Sequence, residues 1–115
     1  MLKIYHNPRC RKSREGLEFL KSRTSGFTLI DYLKEGLSCR DLQEILLKSN
    51  LDPIDLVRKE EDFFIHDLKG KTFTRQEWIE IICENPRLLQ RPIVVGRYKA
   101  VIAVPPEMAE EVLSK

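Results

Sequence analysis

Cys10 is the residue in this chain whose type and surroundings most clearly invite chemistry. Four cations, Arg9, Arg11, Lys12 and Arg14, flank it, and His6 lies four positions before it. The thiolate, not the thiol, is the nucleophile, and a helix N-terminus with nearby cations lowers a cysteine pKa from about 8.5 to between about 3.5 and 7.5. Leu2, Ile4 and Tyr5 suit a short strand, His6-Asn7-Pro8 a turn, and Leu17, Phe19 and Leu20 the apolar side of a helix, so Cys10 should sit where the turn becomes the helix. Cations at that end oppose the helix dipole at about 0.3–1 kcal/mol each, and the first acid, Glu15, arrives only in the second turn. The unpaired N–H groups of a first turn also point at any anion bound there. The local physics points to a reactive cysteine in an anion pocket. The competing reading is a small buried hydrophobe beside a solvated basic face. His6 could add positive charge, accept the thiol proton or simply hold the turn. Arg14, one helical turn after Cys10, could reach an oxyanion or the thiolate, or pair with Glu18.

The segment from His6 to Arg14, with its H-x3-C-x3-R spacing after an apolar strand, resembles the active-site segment of the glutaredoxin-coupled arsenate reductase family, which includes the Spx-type transcription regulators. Arg91-Pro92-Ile93-Val94-Val95 resembles a second segment of that family, and Arg58 matches its central basic residue. The resemblance implies an α/β, thioredoxin-like fold and a Cys10 thiolate that His6 helps to hold. It also implies oxyanion binding by Arg58 and Arg91, and a cis Arg91–Pro92 peptide packed at the thiol. Cys10 would attack arsenate and expel hydroxide, glutathione would attack the adduct and reduce As(V) to As(III), and glutaredoxin would release arsenite by thiol exchange. No bound cofactor is implied; glutathione is a co-substrate and glutaredoxin a partner. The family's third anion-binding arginine precedes a proline after the last strands, and here Val104 stands before Pro105. Two alternatives stay beside arsenate reduction: a glutathione-linked thiol oxidoreductase with another substrate, and a non-enzymatic Spx-type regulator that binds RNA polymerase. Those regulators commonly carry Cys-x-x-Cys, which this chain lacks.

In Cys10-Arg11-Lys12-Ser13 a hydroxyl occupies the place of a resolving thiol, so the second thiol is expected from outside the protein. Gly16, six positions after Cys10, disfavours the Cys-x5-Arg phosphatase-type loop. Cys39 and Cys83 fall on predicted helices, and Cys83, beside Ile81-Ile82, reads as core packing. No metal site is expected: His6 and His66 lack neighbours at ligand spacing, and a C-x2-C pair is absent.

The supporting elements follow the same order. Phe27 to Tyr32 reads as a second strand, parallel to the first through a right-handed crossover. Ser38 with Asp41 caps a helix carrying Leu42, Ile45 and Leu46, and Pro53 opens a short one with Ile54, Leu56 and Val57. Thr74 with Glu77 caps a helix with Trp78, Ile81 and Ile82 inward, stopped at Asn85-Pro86. Ile93–Val95 and Ala100–Val104 read as an antiparallel hairpin. Pro105-Pro106 then starts a last helix with Met108, Val112 and Leu113 inward. The expectation is one domain over residues 1–115, βαβ then ββα, with a helical insertion at about 38–90.

Of the 115 residues, 42% are hydrophobic and 33% charged, and 20 basic against 18 acidic residues leave a net charge of +2. That balance gives no footprint for direct nucleic-acid binding. Lys3, His6 and Arg9 interrupt any apolar start, no run is long enough to span a bilayer, and three scattered cysteines make no disulfide framework. A cytoplasmic monomer is expected.

Overall fold

The computed structural model describes residues 2–113. The chain divides into two compact units, Met1–Gly36 with Arg91–Lys115, and Leu37–Gln90.

The first unit carries the sheet. Strand β1 (Lys3–His6) leads into helix α1 (Arg11–Arg23), strand β2 (Thr28–Asp31) and a single helical turn, α2 (Tyr32–Glu35). After the second unit the chain returns as β3 (Ile93–Val95), β4 (Ala100–Ile102), a 310 turn at Pro106–Ala109 and the short helix α5 (Glu110–Leu113). The sheet order is β2-β1-β3-β4. β1 pairs in parallel with β2, Ile4 opposite Leu29, and antiparallel with β3, Ile4 opposite Val94. The expected hairpin is present, with Val94 opposite Val101.

Central strands buried on both faces need apolar residues at every position, and all three residues of β3 are buried. Leu17 and Leu20 of α1 close on this sheet with Ile4, Val94, Val101, Ala103, Ala109 and Val112. Burying one such side chain contributes about 1.5–3 kcal/mol, so α1 is held by packing rather than by its N-terminus, whose first turn has no acid.

The boundaries differ from expectation in three places. Tyr32 leaves the strand, fully buried, to open α2, a single helical turn that ends at Gly36, φ 96°. β4 stops at Ile102, since the N–H of Val104 turns back to the Ile102 carbonyl at 2.9 Å. The last helix is mostly a 310 turn, with Ala109 and Val112 buried and Met108 and Leu113 only packed against the edge of the core.

The second unit is helical. α3 (Cys39–Ser49) and α4 (Arg75–Glu84) each start in the expected capping box, Ser38 with Asp41 and Thr74 with Glu77. α3 ends at Asn50 in the left-handed region, φ 61°. The two helices pack together, and 310 turns at Pro53–Leu56 and Pro86–Leu88 lie against α4. Trp78, Ile79 and Ile82 form the buried face of α4. Ile79 therefore takes the place expected of Ile81, which is half-exposed. Phe64–Leu68 forms one turn of π-helix, closed by Lys69 N–H to the Phe64 carbonyl at 2.8 Å. The chain order is thus βαβ, helices, ββα.

Candidate functional site

Cys10 is the N-cap of α1, with extended backbone (φ −95°, ψ 124°). Its N–H donates to the Asn7 carbonyl at 3.0 Å, and its carbonyl receives Arg14 N–H at 3.0 Å, so the turn and the helix are locked on either side of the sulfur. An N-cap side chain faces the N–H groups of the second and third helical residues, here Lys12 and Ser13. A neutral thiol makes no capping bond there; a thiolate is the acceptor that those donors lack.

The balance of forces on Cys10 favours that thiolate. Burial alone would raise its pKa, but the Ser13 N–H, the Arg91 guanidinium and the Lys12 N–H outweigh burial and hold the thiol below its ordinary value. Arg91 stands two residues before the start of β3, and the strand pairing of β3 with β1 delivers it to the turn after β1. The Arg91–Pro92 peptide is cis, as the resemblance implies. Pro92 is buried against α1: a Cβ added at Gly16 would lie 2.5 Å from Pro92 Cγ.

The flanking cations do something other than expected. Arg9, Arg11, Lys12 and Arg14 are all exposed, and Arg11 pairs with Glu15 at 3.2 Å. Arg14 turns back to donate to the Pro8 carbonyl at 3.1 Å, bracing the turn rather than pairing with Glu18. The electrostatic work at the sulfur falls to two backbone donors and Arg91.

His6, at the end of β1, is 3% exposed, and its Nδ1 is buried without a hydrogen-bond partner. Burial lowers its pKa; a backbone hydrogen bond with Ser13 and the charge of Asp31 oppose this, while Lys21 and Arg14 add to it. Burial therefore disfavours the imidazolium and with it the cationic role, while the backbone hydrogen bond with Ser13 ties His6 to the turn.

Arg58 belongs to the second unit. Its N–H donates to the Leu88 carbonyl at 2.6 Å, beside the Val57–Leu89 bridge. Its guanidinium pairs with Glu61 and, at 3.4 Å, with Glu60. Val104 is 40% exposed and precedes a second cis peptide, to Pro105.

Sequence reasoning undervalued Asn7 and Ser13. Asn7 is buried and its Oδ1 accepts Arg9 N–H at 3.0 Å, while the fully buried Ser13 Oγ accepts Asn7 N–H at 3.3 Å. Asn followed two residues later by a bonded N–H is the Asx-turn signature, so that half of the pair was available from the sequence. Among the described residues no group of three His, Cys, Asp or Glu could hold a metal ion, and no helix is long and apolar enough to cross a membrane.

Residues 5–112 match the ArsC family. The chain belongs to the ArsC family. An arsenate reductase of Haemophilus influenzae is 34% identical over 96% of this chain and 97% of its own length. The uncharacterized protein YfgD of Escherichia coli K12 is 37% identical over 97% of this chain and 96% of its own. The solved arsenate reductase from Vibrio cholerae superposes with a TM-score of 0.89 at 30% identity, covering 96% of both chains. The fold is the thioredoxin-like one of ArsC proteins, and the chain is an arsenate-reductase-like oxidoreductase in family.

Proposed function

We propose that this ArsC protein reduces arsenate to arsenite through the Cys10 thiolate, with glutathione and glutaredoxin supplying the electrons. The observation that carries this reading is the thiol of Cys10, held low by Ser13 N–H, Arg91 and Lys12 N–H against its own burial. Those donors also suit a tetrahedral oxyanion. Preorganised donors aimed at developing charge are worth about 10²–10³-fold in rate each.

In the proposed reaction the Cys10 sulfur bonds to arsenic and one arsenic–oxygen bond breaks, its oxygen leaving as water once protonated. Neutral His6 holds a lone pair in the buried turn and can receive the thiol proton. The position one turn into α1 is Ser13, so Cys10 has no resolving partner there. External thiols therefore provide both electrons: arsenate, two thiols and a proton give arsenous acid, a disulfide and water. A supply of reduced thiol is the normal state of the cytoplasm, and a cytoplasmic home would suit this chemistry.

Arg91 is the guanidinium we assign to the oxyanion. A part for Arg58 requires it to exchange Glu61 for the substrate. Exposed Val104, where the resemblance implies a third arginine, favours a second reading: the same thiol chemistry on a substrate less dependent on bidentate arginine contacts.

A coupled assay with arsenate, glutathione, glutaredoxin and NADPH tests the proposal. Wild type should turn over, Val104→Arg should lower the KM for arsenate, and Cys10→Ser should reduce turnover to background. An inert wild type that Val104→Arg does not rescue rules out arsenate as the substrate.

A further inference from the structure

The helical unit holds a second sulfur site that the chemistry at Cys10 does not use. Cys39 is the first residue of α3 and Cys83 lies in the last turn of α4. Leu47, near the end of α3, shares a groove with Arg75 and Gln76, which open α4. The helices are thus antiparallel neighbours, and the start of one meets the end of the other. There the Cys83 thiol is within hydrogen-bond reach of the Cys39 thiol. Both cysteines are unbridged and half-buried.

The surroundings reject anions. Burial, then the Cys39 sulfur by hydrogen bond and charge, then Asp41 and Glu84, push the Cys83 thiol up to about 12. A thiol held protonated reacts slowly at neutral pH, so spontaneous disulfide exchange there is slow. Metal cations are disfavoured too. Structural zinc takes four ligands, and among the described residues no three candidate ligands cluster. Two thiols brought together by the packing of α3 against α4 suit a soft centre that needs two sulfurs and condenses without forming charge.

We propose that Cys39 and Cys83 form a dithiol site for trivalent arsenic. Neutral arsenous acid condenses with the two thiols: two arsenic–sulfur bonds form, two arsenic–oxygen bonds break, and the two thiol protons leave with the two hydroxyls as water. The third position on arsenic keeps its hydroxyl, no atom changes oxidation state, and every species is neutral. Asp41 and Glu84 repel the arsenate anion, so the pair selects the reduced element. Naming arsenous acid as the physiological ligand rests on the proposed reduction at Cys10; the dithiol chemistry itself does not.

The test uses the Cys10→Ser chain, whose remaining thiols are Cys39 and Cys83. Phenylarsine oxide is the probe, since it condenses with two thiols and releases one water. We expect one probe per chain by intact mass, loss of both thiols to a colorimetric thiol reagent, a raised Tm, and release by a small dithiol but not by glutathione. Adding Cys39→Ser or Cys83→Ala to that chain should abolish the adduct. The site is refuted if the single-pair chain leaves both thiols free with its Tm unmoved, or if either added substitution retains the probe against glutathione. An arm with arsenite alone should give the same loss of thiols, and unchanged thiols at saturating arsenite would overturn arsenous acid as the ligand. Because Cys10 is absent throughout, failure of the arsenate assay and failure of this site are separate results.

Discussion

Cys10 and Cys83 are the same side chain, each at the end of a helix and each partly buried, and the fold drives them in opposite directions. Burial raises the pKa of both. At Cys10 the open N–H groups at the start of α1 and the Arg91 guanidinium overcome burial. Cys83 lies instead in the last turn of α4, with a second sulfur and the carboxylates of Asp41 and Glu84 around it, and every one of these adds to burial. The difference shows that the sign of a thiol's shift is set by which groups are aimed at it. Charge density in the neighbouring sequence does not decide it. The four cations beside Cys10 are exposed, with Arg11 and Arg14 engaged elsewhere, whereas the guanidinium acting on the sulfur comes from the loop before β3.

The largest consequence is a separation of reactivities. Each pKa unit is a factor of about ten in thiolate at a given pH below both values, so Cys10 should alkylate at least about tenfold faster than Cys83 near pH 7. Iodoacetamide labelling mapped by peptide mass across pH checks this. The Cys10 midpoint falls below the ordinary thiol value and the Cys83 midpoint above it, and equal rates at neutral pH would break the contrast.

Replacing Arg91 by Gln removes the charged donor while keeping a hydrogen-bonding group. A hydrogen bond to a charged group is worth about 1.5–3 kcal/mol, so the Cys10 midpoint should rise and neutral-pH alkylation slow by about tenfold or more, with Cys83 unchanged. An unaltered Cys10 profile would leave the helix N–H groups as sufficient by themselves.

Gly16→Ala sharpens the geometry beneath the site. Alanine favours a helix interior by about 1 kcal/mol over glycine, but overpacking typically costs about 1–3 kcal/mol. The Pro92 ring is rigid, so sterics should win. The expected result is a Tm lower by roughly 5 °C and a raised Cys10 midpoint as Arg91 shifts with Pro92. A raised Tm would show that Pro92 yields.

The smallest effect belongs to the helical unit. Thr74→Ala removes the oxygen that accepts Glu77 N–H at 3.1 Å, which should lower stability by about 1 kcal/mol in chemical denaturation. No change would mean that α4 is held by Trp78, Ile79 and Ile82 alone.

Much of this architecture was legible because local signals agreed with the tertiary answer. Two capping boxes and the Asn85-Pro86 stop set the helices of the second unit. The alternation of apolar runs and turns set all four strands. The β1–β2 and β3–β4 pairings could be written down from chain order and connection length, whereas the β1–β3 pairing between the two chain ends could not. Elements shifted where packing outweighed pattern: Tyr32 is a good strand former that the core draws into a helical turn, and Ile79 rather than Ile81 faces inward because Trp78 and Ile82 set the rotation of α4. Cys10 was legible from its place between turn and helix. The contribution of Arg91 rested on resemblance alone, since nothing near residue 91 in sequence points to residue 10. Cys39 and Cys83 carried no spacing signal at all, because their meeting depends on the antiparallel packing of α3 and α4.

The buried hydroxyl of Ser13 sets how this protein ages under oxidative stress. A sulfenic acid formed at Cys10 by peroxide finds oxygen, not sulfur, one helical turn away, and cannot be capped there as a disulfide. Unless a small thiol arrives first, further peroxide carries it to sulfinic acid, which ordinary thiols do not reverse. The working lifetime of each copy is then set by the ratio of free thiol to peroxide around it.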